Sequence, residues 1–392
     1  MRPTILTFVR YYLPGYKSGG PVRTIANLVD ALGDELDFRI ITADRDALES
    51  TPYADVAIDQ WNTLGKARVF YASPRSRSLG SLSRLIRETP HDVLYLNSCF
   101  DPRFTARPLL ARRLGRIPNR PVVLAPRGEF SPGALRIRAW KKRPYLLLSR
   151  PMGLYRNLTW QASSEHEARN IRRMMGSCAT KIVVAPNLPA AFVELGTDAA
   201  ANTRGDSDPL RVVFLSRVTP MKNLDFALRV LGRVTVALTL DIYGVIDDEP
   251  YWQACRREID RLPSNIAVAY HGPILHEEVA PKLRNHDLFF LPTRGENYGH
   301  VIHESLAAGV PVLISDQTPW RDLDEQGVGF VRPLDDPSAF VTALEQLAAL
   351  DVPAREALRQ RAAEYARRYA NNDAIVTQNR DLFLNLVQAR QA

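Results

Sequence analysis

Twelve short, nearly continuous apolar runs alternate with amphipathic stretches along this chain, and that alternation restricts its fold more than any other feature. In the first half the runs are ILTFV (5–9), FRIITA (38–43), ARVFYA (67–72), DVLYLN (92–97), PVVLAP (121–126) and LTWQAS (158–163). The second half has LRVVFLSR (210–217), LTLDIYG (238–244), NIAVAYHG (265–272), DLFFLPT (287–293), PVLIS (311–315) and VGFVRP (328–333). Runs of this length without polar alternation predict strands buried on both faces, which means parallel sheets. Helical periodicity predicts helices over 21–33, 79–88, 103–115 and 165–175, then 222–234, 249–261, 276–284, 299–308 and 336–348, with a last helical segment over 352–390. Two such series predict an α/β chain of two doubly wound, Rossmann-like domains. Between them, residues 189–209 (PAAFVELGTDAAANTRGDSDP) lose periodicity and read as a linker.

Composition narrows the function classes. With 392 residues, 45% of them hydrophobic and 24% charged, the chain is globular rather than disordered. No run of 18 apolar residues predicts a membrane span, and the first residues read as a strand rather than a signal peptide. Cys99, Cys178 and Cys255 form neither a disulfide framework nor a CxxC pair, in keeping with a reducing, cytoplasmic setting. The net charge of +8 is concentrated: residues 101–160 hold 14 Lys/Arg against two acids, which leaves the rest of the chain acidic. That segment interleaves cations with apolar and aromatic residues and suits an anionic membrane surface; a solvated helix face is the plain alternative. No nucleic-acid-binding motif accompanies it, so nucleic acid is not expected as a partner.

Parallel doubly wound sheets bind ligands beyond the carboxyl ends of their strands, so chemistry-bearing residues are expected at those ends. After the first strand, Gly19 and Gly20 precede Pro21 at a helix entry, where backbone can approach a phosphate closely. The fingerprint GxGxxG is missing there, which argues against a nicotinamide enzyme. After the first strand of the second half, Arg217 and Lys222 flank a helix start, an unfavourable place for cations unless an anion sits there. Gly244 and Gly272 end later strands and would let a base or ribose come close, or would serve as turns. In TRGENYGHVIHESLAAGVPVLISD (293–316), Glu296 precedes a helix entry and Glu304 lies inside the helix. Glu296 would accept hydrogen bonds from sugar hydroxyls, and Glu304 would hold a vicinal diol such as a ribose. His300 and Glu304 share a helix face, but the spacing is not HExxH, so no metal is expected.

These motifs, in this order, resemble the GT-B fold retaining glycosyltransferases of family 4. The resemblance rests on YYLPGYKSGGPVRTIANLVDAL, PRGEFSPGAL, KIVVAPN, FLSRVTPMKNLDFAL and, most specifically, the E-x7-E of ENYGHVIHESLAAGVPVLIS. It implies two Rossmann-like domains facing a central cleft: an acceptor-side domain over 1–188, to which a C-terminal helix over 371–392 returns, and a nucleotide-sugar domain over 210–370. It implies a nucleotide-diphosphate sugar as donor, no further cofactor, and a glycan or lipid-linked acceptor in bacterial surface polysaccharide or lipopolysaccharide biosynthesis. The enzyme would work in the cytoplasm, peripherally at the inner face of the cell membrane. Arg217, Lys222 and Glu296 would be catalytic, with Glu296 and the backbone amides of Asn297 and Tyr298 holding the transferred sugar and Gly299 opening the helix. Gly20, beside Gly19, would face the β-phosphate, and Glu304 the ribose. Where many members carry a histidine this chain has Arg127, which is no base at neutral pH and would contact donor or acceptor, with Glu129 nearby. A nucleotide-sugar 2-epimerase and a non-catalytic nucleotide-sugar binding protein are the rival readings.

Overall fold

The structure is a computed structural model that describes residues 2–137, 139–190, 205 and 208–391. The chain forms two compact units, Met1–Leu188 with Asn372–Ala392, and Pro189–Asn371. Most of the expected linker, 191–204 and 206–207, lies outside the described residues.

Unit 1 is built on one eight-stranded sheet. Its strands are β1 (Thr4–Phe8), β2 (Asp37–Ala43), β3 (Trp61–Leu64), β4 (Ala67–Ala72), β5 (Val93–Asn97), β6 (Val122–Ala125), β7 (Thr159–Ala162) and β8 (Lys181–Val184). They lie in the order β3-β4-β2-β1-β5-β6-β7-β8, all parallel except β3, which pairs antiparallel with β4. The inner strands β5 and β6 are buried along their whole length, as continuous apolar runs require of a sheet covered on both sides. The edge strands β3 and β8 are short and at most half-buried and had no such run to mark them. The helix Asp373–Gln391 completes this unit. Its Phe383 ring meets the edges of Phe38 and Tyr95 at 6.3 and 5.2 Å, and Asn379 Nδ2 donates to the Pro186 carbonyl at 2.7 Å.

Unit 2 contains β9 (Leu210–Leu215), β10 (Leu238–Tyr243), β11 (Ile266–Gly272), β12 (Leu288–Leu291), β13 (Val312–Ser315) and β14 (Gly329–Arg332). They form an all-parallel sheet in the order β11-β10-β9-β12-β13-β14. Phe214, Phe289, Phe290 and Ile314 are wholly buried in its core; each such side chain contributes about 1.5–3 kcal/mol over leaving it in water. The order runs outward from β9 in one direction through β10 and β11, and in the other through β12, β13 and β14. The winding therefore reverses between β9 and β12, and the crevice beyond the carboxyl ends of those two strands is where such sheets take their ligands.

The last helical segment, expected over 352–390, consists of two helices, Val352–Ala370 and Asp373–Gln391, interrupted at Asn371–Asn372. The break has a local cause: Asn372 Oδ1 accepts the Ala374 N–H at 3.1 Å and so starts a new helix.

Candidate active site

The loops that leave β9 and β12 are laced together. Thr293 Oγ1 and the Arg294 N–H both donate to the Met221 carbonyl, at 3.1 and 2.8 Å. Asn223, in a left-handed conformation at φ 63°, donates through Nδ2 to the Pro292 carbonyl at 2.9 Å and accepts from Arg294 Nε at 2.8 Å. Ser315 Oγ, at the end of β13, donates to the Thr293 carbonyl at 2.5 Å, and the Glu296 N–H to the Gln317 carbonyl at 3.0 Å. This scaffold brings Lys222 and Glu296 into an ion pair at the switch point, with side chains 15% and 13% exposed. The helix Leu224–Leu231 starts directly behind Lys222.

Arg217 follows β9 and pairs with Asp247, in the loop after β10, at 2.7 Å. Both side chains are partly open to solvent, at 44% and 29%. The two loops run side by side because Val218 and Ile246 form a parallel bridge. Gly244 makes that possible: at φ +144° a Cβ would stand 1.9 Å from the Ser216 carbonyl oxygen. The close approach that requires this glycine is thus made by the chain itself. Gly272, at φ +79°, has open space around it, so its requirement is conformational.

The helix His300–Ala307 begins at Gly299, whose φ of +81° places it in the left-handed region. Tyr298 is buried in an aromatic cluster, 5.5 Å from Trp320 and 6.3 Å from Tyr369, and Trp320 Nε1 donates to its carbonyl at 2.5 Å. Its side chain is therefore committed to packing, which leaves its backbone amide and that of Asn297 as the parts expected to meet a sugar. Glu304 lies within the helix His300–Ala307, and its Oε1 is 3.9 Å from His276 Nδ1 on the helix His276–Arg284. His303 faces the other way and meets the Ala366 carbonyl at 3.2 Å. Burial lowers its pKa to about 4, so it is neutral at physiological pH, with the Ala366 bond opposing the shift. Among the described residues no group of three or more His, Cys, Asp or Glu side chains could hold a metal ion.

In unit 1, Gly19 caps the helix Gly20–Leu32 with φ 66°, and a Cβ there would meet nothing. The loop before it is fixed by Asp46, whose Oδ2 accepts the N–H groups of Tyr16 and Lys17 at 2.8 and 3.1 Å. Arg127 and Glu129, expected to contact substrate, are turned to the protein. Arg127 donates from Nε and Nη2 to Asn97 Oδ1 at 3.1 and 2.8 Å, from Nη1 to Asn187 Oδ1 at 2.5 Å, and from Nη2 also to the Tyr95 hydroxyl. Each of its guanidinium nitrogens thus has a partner within unit 1, tying the ends of β5 and β6 to the turn after β8. Glu129 accepts from Ser98 Oγ at 2.7 Å and from the N–H groups of Cys99 and Phe100 at 2.5 and 3.3 Å. Burial raises its pKa, and these hydrogen bonds oppose the shift.

Sequence reasoning had passed over Asp247, Asn223, Arg294 and His276. Only Arg294 carried a signal, two residues before Glu296 in the same strand-end loop. The other three matter through contacts with residues distant in the chain.

Two Rossmann-like units, the second with a paired cation and carboxylate at its switch point, define an α/β protein of GT-B architecture. Residues 209–349 match the family model described as Glycosyl transferases group 1. Over 104 residues the chain is 38% identical to a phosphatidyl-myo-inositol mannosyltransferase of Mycobacterium leprae (strain TN), a match covering 26% of this chain and 28% of the relative. The chain spans between 28% and 44% of the length of the curated relatives it matches. Among solved structures, sucrose-phosphate synthase from Thermosynechococcus elongatus superposes with a TM-score of 0.75 at 16% identity, covering 99% of this chain and 100% of that one. HepE of Anabaena, solved in complex with UDP and glucose, gives a TM-score of 0.72 at 16% identity, with 99% and 100% coverage. At these identities the likeness shows the fold.

Proposed function

We propose that the protein is a retaining glycosyltransferase that moves a sugar from a nucleotide-diphosphate donor to a glycan or lipid-linked acceptor. The observation that carries this is the Lys222–Glu296 pair, where the ends of β9 and β12 diverge. A cation for a diphosphate and a carboxylate for sugar hydroxyls stand side by side at the place where this topology takes its ligands. The donor's diphosphate would lie against Lys222, Arg217 and the N-terminus of the helix Leu224–Leu231, which favours negative charge. Glu296 would hold hydroxyls of the transferred sugar, and Glu304, further along the same segment, the ribose.

The acceptor hydroxyl would attack the anomeric carbon from the face that the nucleotide leaves. The carbon–oxygen bond to the β-phosphate breaks as the new glycosidic bond forms, and the departing phosphate oxygen takes the acceptor's proton. No protein base is then needed. Charge develops on the leaving diphosphate, where Lys222 and Arg217 would stabilise it. No metal is required, because the two cations supply the charge. HepE, with UDP and glucose bound, makes uridine diphosphate sugars the first donors to try. Work at the inner face of a bacterial membrane, in surface polysaccharide or lipopolysaccharide biosynthesis, completes the reading, with the basic segment 101–160 as the contact.

A thermal-shift screen with UDP, GDP, dTDP and ADP sugars tests this. One base family should raise Tm by several degrees, and Lys222→Ala and Glu304→Ala should each abolish the shift. If no nucleotide sugar stabilises the protein, or if Lys222→Ala responds like the wild type, the reading falls. Product analysis without acceptor separates transfer from epimerisation, which would release an isomerised nucleotide sugar.

A further inference from the structure

We propose that one face of the helix Ala139–Ser149 lays unit 1 onto the headgroup layer of an anionic phospholipid bilayer. The inference deepens the membrane contact of the proposed function by naming the element that makes it. Trp140, Leu147 and Leu148 are 73%, 71% and 66% exposed, and Met152, just past the helix, is 54% exposed. Ile137, just before it, is 40% exposed. Scattered exposed apolar residues need no explanation, but five large ones within sixteen residues form a patch.

Helix geometry turns that patch into a stripe. At 100° per residue, Trp140, Pro144, Leu147 and Leu148 fall within an arc of about 100°. Arg143 borders the arc on one side and Lys141 on the other. Lys141 Nζ rests 4.7 Å from the centre of the Trp140 ring, a cation–π contact at the edge of the stripe. The opposite face anchors the helix: Leu146 and Ser149 are buried, and the Tyr145 ring meets Phe100 at 5.8 Å. Lys142 also turns inward, donating to the Ala134 carbonyl at 2.7 Å. The outer face is therefore not held out by an unstable helix; it is displayed by one fixed from behind.

The charge around the stripe selects its occupant. Residues 130–160 contain seven Lys/Arg and no Asp or Glu. A second copy docked through this face would bring Lys141 and Arg143 against their own equivalents or close to them, which like-charge repulsion opposes. An anionic lipid surface offers negative headgroups to the flanking cations and an apolar layer just beneath for the stripe. An indole ring with a cation beside it is suited to that boundary. At eleven residues the helix is about 16 Å long, too short to span a bilayer of about 30 Å, so the contact is parallel to the surface.

The test is co-sedimentation of the full chain with vesicles of phosphatidylcholine alone or with about one-third phosphatidylglycerol. We expect at least tenfold tighter binding to the anionic vesicles, weakened at high salt. The double variant L147S/L148S and the double variant K141E/R143E should each lose about tenfold or more. Brominated lipids should quench the fluorescence of the wild type more than that of Trp140→Phe. The donor thermal shift should persist in all these variants, because none lies at the switch point, so the failure of one proposal is distinguishable from the failure of the other. The inference is overturned if anionic vesicles are not bound, or if the variants bind as the wild type does. A solution dimer that L147S/L148S dissociates would overturn it as well.

Discussion

Lys222 and Glu296, 74 residues apart in the chain, form an ion pair across the gap between the loops that follow β9 and β12. Each side chain is mostly shielded from water, so each is the other's principal compensation. A diphosphate arriving at Lys222 would therefore enter a site whose cation is already positioned, and Glu296 would be turned to the sugar by the same contact.

Replacing Lys222 by alanine leaves the Glu296 carboxylate shielded without its cation. We expect a loss of about 1–3 kcal/mol of stability and of at least about 100-fold in kcat. The double variant K222A/E296Q should recover stability without recovering turnover. Urea unfolding and a donor-turnover assay read the two effects separately. A single variant with kcat within a few-fold of wild type would remove Lys222 from the chemistry.

Arg217 makes the opposite kind of pair. Its contact with Asp247 is open to solvent and screened, and such pairs contribute about 0–1 kcal/mol. Arg217→Ala should therefore leave Tm almost unchanged while lowering kcat more than it raises KM. Full turnover in this variant would show that the exposed pair is only surface chemistry.

Arg127 is expected to act through the fold rather than on the substrate. Removing its guanidinium strips donors from Asn97, Asn187 and the Tyr95 hydroxyl in the interior of unit 1. Arg127→Ala should cost about 2–3 kcal/mol in urea unfolding, and lysine, lacking the planar fork, should not restore it. Unchanged stability together with lost donor binding would return Arg127 to the role of a ligand.

His303 makes stability depend on pH. In the folded protein burial holds its pKa at about 4, whereas the unfolded chain takes up the proton near 6.5. Between those values the unfolded state binds more protons, so this contribution is fully present above about pH 6.5 and is lost as pH falls toward 4. About 2 kcal/mol of the loss should appear between pH 7 and pH 5. His303→Leu should flatten the curve by that amount over this window. Parallel curves for the two proteins would mean that the imidazole is hydrated in solution.

The fold was legible because parallel strands covered on both faces are largely apolar: β12 is so throughout, and β1, β5 and β9 are interrupted by only one or two polar residues each. The edge strand β8 was not, since Lys181 is exposed, the other three residues are only half-buried, and a strand so placed needs no such run. Nor do apolar runs say which strand lies beside which. That β12 rather than β10 follows β9 across the reversal is tertiary information, and with it comes the meeting of Lys222 with Glu296. The helix Ala139–Ser149 was hidden for a different reason: Pro144 sits within it, and a proline inside a helical pattern argues for a break. Arg127 could be placed at a strand end, but its left-handed φ of 56° and inward-turned fork depend on Asn97 and Asn187, which no local pattern connects to it.

The chain completes its second unit before its first. Unit 2 is a continuous stretch, whereas unit 1 needs the segment from Asn372 onward to bring Phe383 against Phe38 and Tyr95. On the ribosome, the sheet formed by the segments before Leu188 must wait, with those two rings uncovered, until the residues around Phe383 have been added. A transcript cut short near Asn371 would yield a finished second unit attached to a first unit that still lacks part of its interior.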